Sequence, residues 1–122
     1  MKLALTLHTV VLAFYAVVLL VIPVGFLSLY GVSFGAGAEV VIRFLGALAG
    51  GNAALSWLSR GQAESSAGLQ NVELSFAVDW LLILVVGMLG QLAGAMNALG
   101  WSTVILALIW VGVFGYARFM KA

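Results

Sequence analysis

Four stretches of this chain, residues 3–22, 38–58, 72–94 and 101–119, are each long and apolar enough to cross a lipid bilayer. The hydrocarbon layer is about 30 Å thick, and a helix covers it in about 20 residues at ~1.5 Å per residue. No water reaches the backbone there, so a spanning segment must be a helix or part of a closed barrel. Uninterrupted apolar runs of this length favour the helix. The chain is therefore expected to be all-α. It reads as an integral membrane four-helix bundle with short loops, a single domain over residues 1–122.

Composition agrees about the solvent. Hydrophobic residues make up 65% of the 122, and charged residues only 7%. A soluble domain carries about 25% charged residues. A small domain buries roughly 60–70% of its surface, so the surplus apolar side chains must face lipid. The basic residues are scattered, without the clustered footprint that nucleic acid requires. The absence of cysteine excludes disulfides, thiol catalysis, iron–sulfur clusters and cysteine zinc sites. Lys2 gives the chain a basic start. The run from Leu3 to Ile22 is nonetheless too long for a signal-peptide core, and no small-residue cleavage site follows Pro23. It reads as a retained first span.

Pro23 and Gly25 end or bend span one. Residues 24–37 read as a last helical turn followed by a loop, with Tyr30 at headgroup level. Glu39 falls in the first turn of span two, where it complements the helix dipole. The hydrophilic stretch Ser59–Asn71 reads as a loop, and residues 95–100 as a short turn. Four crossings put both termini and the 59–71 loop on one side, together with Lys2, Arg60, Arg118 and Lys121. The other side holds Glu39 and Arg43. Positive residues favour the cytoplasm, so both termini are expected there. Trp57 and Trp101 suit the interfacial belt, while Trp80 and Trp110 lie deeper and suit packing between helices.

Small residues recur at helical spacing: Gly46 and Gly50 in span two, and Gly87, Gly90 and Gly94 in span three. Such faces let helix backbones approach closely. A contact between spans two and three is expected, with a homo-oligomer contact as the alternative.

Depth along each helix singles out the polar residues. His8 and Asn52 each lie ~9 Å from the cytoplasmic ends of their spans, and Asp79 ~10 Å. Thr9 and Ser56 are near neighbours in depth. An ionisable group at such depth is costly unless paired or hydrated, and marks a candidate site. Two readings stand. One is a pocket or proton relay, because histidine titrates near neutrality. The other is a hydrogen-bonded clamp between helices. Arg43, ~7 Å below the outer surface, follows Glu39 by four residues, the favourable order for an ion pair. Its alternative is an anion or headgroup contact, helped by Gln91, Asn97 and Tyr30. One histidine and one aspartate make a thin ligand set for a metal. No nucleophile triad, phosphate loop or dinucleotide fingerprint occurs. No catalytic residue, metal or cofactor is expected.

Two segments also carry a family pattern: P-V-G-F-L-S-L-Y-G-V at Pro23–Val32 and R-F-L-G-A-L-A-G-G-N-A-A-L-S-W-L-S-R at Arg43–Arg60. They resemble small bacterial four-span proteins of the DoxX-like group. The shared positions are Pro23, Tyr30-Gly31-Val32, Arg43 with Gly46-Ala47, and Trp57 with Arg60, all in the first half of the chain. The resemblance implies a four-helix bundle in a bacterial inner membrane and an accessory role beside other proteins. It transfers no catalytic residue. Small size and helix-packing glycines point the same way, to a non-enzymatic accessory or assembly subunit of a larger membrane complex. The partners expected are the lipid bilayer and other membrane subunits or further copies of the chain. Two alternatives are a transporter or binder built on His8, Asn52 and Asp79, and a redox partner handling a quinone-like molecule near Trp80.

Overall fold

Each apolar stretch is helical in the computed structural model, which describes residues 1–120. Helix α1 spans Lys2–Val21, α2 Pro23–Ser28, α3 Ala36–Leu58, α4 Ala67–Leu92 and α5 Trp101–Gly115. A 3-10 turn at Ser59–Gly61 extends α3, another at Ala98–Gly100 leads into α5, and a π turn at Tyr116–Met120 continues it. No strand occurs among the described residues. Four helical segments are long and apolar enough to cross a membrane: Lys2–Val21, Ala36–Gly61, Ala67–Leu92 and Ala98–Met120. Lys121, counted above among the basic residues, lies outside the described residues. The chain gathers into two compact units, Met1–Gly61 and Gln62–Ala122.

In the first unit α1 and α3 pack antiparallel. Small residues form the seam. A Cβ added at Gly46 would lie 3.0 Å from both Leu19 Cβ and Leu20 Cγ, and 3.1 Å from the Leu20 backbone nitrogen. At Gly50 it would meet Ala16 Cβ at 3.7 Å, an ordinary contact. Only glycine lets the two backbones approach this closely at Gly46.

The end of α1 shows what a break in a helix requires. The backbone ladder stops with the Ile22 N–H donating to the Val18 carbonyl at 3.0 Å. Pro23 has no N–H to offer the Leu19 carbonyl, and Ile22 leaves the helical region at φ −130, ψ 52. The next carbonyl, that of Leu20, accepts instead from the Arg43 guanidinium on α3. A second Arg43 nitrogen donates to Glu39 at 3.0 Å, one turn earlier. The expected Glu39–Arg43 ion pair is present, and Arg43 also ties α3 to the broken end of α1. Beyond the break, α2 folds its rings back. Phe26 lies edge-on to Phe14, Tyr15 and Tyr30, with centroids 5.9, 6.0 and 5.3 Å away. Tyr30 was expected at headgroup level. It is buried in this aromatic group because the turn after α2 brings it back over Phe26.

In the second unit α4 packs on α5. Phe76 on α4 and Phe114 on α5 lie 5.2 Å apart, and Trp110 stacks on Phe114 at 5.6 Å. Nearer the other end, a Cβ at Gly87 would meet Val104 Cγ2 at 3.4 Å. Within their own units, Gly46 and Gly50 thus face span one and Gly87 faces span four.

Helix boundaries differ from the sequence reading at α4. It starts at Ala67, five residues before the expected Val72, because the Ser66 hydroxyl accepts from the Leu69 N–H at 3.1 Å and caps it. It ends at Leu92, and Gly94 terminates it instead of packing within it. Gly94 has φ +73, its N–H donates to the Gln91 carbonyl, and the Ala95 N–H donates to that of Gly90. This paired closure needs a residue in the left-handed region, where glycine carries no steric penalty. Gly31, at φ +75, closes the Tyr30-Gly31-Val32 turn in the same way.

Two glycine substitutions separate the roles. Gly46→Val should destabilise the α1–α3 pair by about 1–3 kcal/mol, the range for overpacking, whereas Gly50→Ala should change stability by less than about 1 kcal/mol. Reversible unfolding in mixed micelles reads both. Equal effects would remove Gly46 as the point of closest approach.

Candidate functional site

His8, on the second turn of α1, is a fully buried polar group of the first unit, 0% exposed. It belongs to the buried stripe Leu5, His8, Leu12 and Ala16, at the spacing of one helix face. Its Nδ1 lies 3.1 Å from Oγ of Ser56, which is also 0% exposed, on α3. The Ser56 hydroxyl in turn donates to the Leu5 carbonyl at 3.0 Å. Thr9 Oγ1 donates to the same carbonyl at 2.8 Å.

Donor counting over these two bonds gives the direction of the contact between His8 and Ser56. A carbonyl oxygen only accepts, and serine has one hydroxyl proton. That proton goes to Leu5, so the bond between His8 and Ser56 must run from Nδ1–H to Oγ. Neutral His8 therefore carries its proton on Nδ1. The same count decides the chemistry of the pair. Histidine activates a serine nucleophile by accepting its proton. Here His8 donates to Ser56, and the serine's proton is held by Leu5. The two bonds tie α1 to α3.

Ser56, not Asn52, is the span-two side chain that reaches His8. Asn52 lies one turn away on α3 and is half-buried. Asp79 belongs to the second unit and is half-buried on α4, roughly a quarter turn from the centre of that helix's buried stripe. The stripe comprises Leu69, Glu73, Phe76, Ala77, Trp80 and Gly87. Glu73, 4% exposed, is its acidic member. The sequence reading passed over it because it placed Glu73 at the mouth of the span. With α4 starting at Ala67, Glu73 lies ~9 Å inside the helix. The signal was the spacing of Leu69, Glu73, Phe76 and Trp80, which puts the carboxylate on the ring-bearing face.

At the end of the first unit, Ser59 is 1% exposed and its hydroxyl has no hydrogen-bond partner. The Arg60 guanidinium lies over the Trp57 ring, 3.9 Å from its centroid. Trp57 and Trp101 are exposed, whereas Trp80 and Trp110 are buried. In the second unit the Gln91 amide donates to the Asn97 carbonyl at 3.2 Å, and the Asn97 side chain accepts from the Leu99 N–H at 3.0 Å. Gln91 and Asn97 therefore hold the turn before α5. Among the described residues, no three of His, Cys, Asp and Glu come together as a metal-ion site.

No family model matches this chain, and no curated protein or solved structure is significantly similar to it.

Two measurements test these bonds. Ser56→Ala leaves the buried Nδ1–H of His8 without its acceptor and should cost about 1–2 kcal/mol in micelle unfolding. Nitrogen-15 NMR of histidine-labelled protein in lipid should show Nδ1 protonated and Nε2 not. A neutral His8 protonated on Nε2 would contradict the donor count.

Proposed function

We propose that this chain is a multi-pass integral membrane protein acting as a non-enzymatic accessory or assembly subunit of a larger membrane complex. The finer reading includes a four-helix bundle, a bacterial inner membrane and cytoplasmic termini. The DoxX-like resemblance at Pro23, Tyr30-Gly31-Val32, Arg43 and Trp57 belongs to it as well.

One observation carries the proposal. Polar side chains of the first unit join helix to helix: His8 with Ser56 and Ser56 with the Leu5 carbonyl in the core, and the exposed Arg43 with the Leu20 carbonyl. Hydrogen bonds inside an apolar medium help hold helices in register. A core linked in this way suits a scaffold. The outward faces support the same reading. Val41, Phe44, Leu45 and Leu48 on α3, and Leu82, Val86 and Leu89 on α4, are all exposed. Apolar faces of this extent suit lipid or the helices of other subunits.

Native mass spectrometry after extraction from the source membrane in mild detergent tests the subunit role. The expected result is this chain together with a second polypeptide in fixed stoichiometry. A single chain alone, across several mild detergents, would contradict it.

A further inference from the structure

We propose that two arginines, each laid over an aromatic ring at the end of a membrane-length helix, hold the phosphate of an anionic phospholipid headgroup. They are Arg60 on Trp57 in the first unit and Arg118 beside Phe119 in the second. The choice of a lipid source rests on the membrane reading above.

In the first unit Trp57 stands in the last turn of α3, and Arg60 in the 3-10 turn that extends it. Residues three apart on a helical surface are neighbours. The Arg60 guanidinium lies 3.9 Å from the Trp57 ring centroid, well inside the ~6 Å reach of a cation–π contact. The ring covers one face of the guanidinium and limits its freedom to turn. In the second unit the turn Tyr116–Met120 carries the other pair, with the Arg118 guanidinium 5.3 Å from the Phe119 centroid. Both rings are exposed.

The rings leave the hydrogen-bonding capacity of the arginines unmet. The buried Nε of each has no acceptor. Among the described residues, neither arginine pairs with a carboxylate, whereas Arg43 has Glu39. Both side chains are half-buried, so the terminal nitrogens are the end open to an outside partner. A guanidinium offers a rigid planar fork of N–H donors that fits two oxygens of one phosphate. The carbonyls at a helix C-terminus disfavour an anion by themselves. The arginine therefore decides whether such an end accepts one.

Position selects the lipid as the source. Arg60 precedes the end of the membrane-length segment Ala36–Gly61 by one residue, and Arg118 that of Ala98–Met120 by two. A bilayer places its phosphates at that level, where aromatic rings also gather. Leu58 and Met120, next in each chain segment, are exposed and apolar, which suits acyl chains. Dissolved phosphate would gain nothing from these side chains. The closer contact and the larger ring make the Arg60 seat the stronger of the two.

The test is native mass spectrometry of the full chain in non-ionic detergent with added phosphatidylglycerol or phosphatidylcholine. Wild type should retain phosphatidylglycerol preferentially. Arg60→Gln should lower that retention about fivefold, and Arg118→Gln about twofold. Trp57→Leu, which keeps the charge and removes the ring, should lower it about threefold. Arg60→Lys should lower it about twofold, because an ammonium lacks the planar fork. Circular dichroism checks that each variant keeps its helices, and Arg60→Lys carries the test if Arg60→Gln does not fold. Excess inorganic phosphate should leave the bound lipid in place, and displacement would overturn the lipid source. Equal retention of the two lipids by wild type, or undiminished retention by folded Arg60 variants, would overturn the proposal. Failure of the membrane reading shows separately, as release of the chain from membranes by alkaline extraction.

Discussion

In a bilayer, every N–H and C=O of a chain this apolar would need a partner that lipid does not provide. Most find one within the helices. The informative places are the breaks. At Ile22–Pro23 the ladder stops and Arg43 comes across from α3 to take the Leu20 carbonyl. At Gly31 and Gly94 a left-handed glycine folds the last N–H groups back onto the helix. At Ser66 and Asn97 a side chain accepts one of the free amides in the first turn of the element that follows. Arg43 thereby acquires a role beyond charge, since its long side chain supplies a donor to a carbonyl beside the break.

Packing follows from the same surroundings. Between helices in an apolar medium there is no hydrophobic drive, so association depends on close contact and hydrogen bonds. The first unit uses both along one seam. At one end Gly46 brings α3 onto the Leu19–Leu20 backbone. At the other, His8, Ser56 and Leu5 are linked in a chain of hydrogen bonds. The second unit relies more on rings, with Phe76, Trp110 and Phe114 between α4 and α5. Small residues and aromatic rings are alternative ways of filling a helix interface where leucine alone would leave gaps.

The sequence made the helices legible because hydropathy and length report them directly. The ends of α4 were less legible. Ser59–Asn71 is polar throughout and reads as a loop, yet one hydroxyl at Ser66 starts a helix inside it. Gly94 carries the same letter as Gly87 but a different backbone conformation, which spacing alone does not reveal. At the candidate site, depth was readable and rotation was not. His8, Asn52 and Ser56 all lie at similar depth, but helix rotation decides that Ser56 meets the imidazole. Glu73 was overlooked because its depth depends on where α4 begins. Arg43 with Glu39 was readable, because an i,i+4 pair needs only the helix. Its bond to Leu20 needs the tertiary fold.

The account stands on four crossings of a bilayer. The chain has no cysteine, so single cysteines can be placed at Ser33, Ser65 and Asn97 and probed in intact membranes with an impermeant maleimide. Labelling of Ser33→Cys and Asn97→Cys from one face, and of Ser65→Cys only from the other, is the predicted result. Labelling of all three from the same face would contradict it.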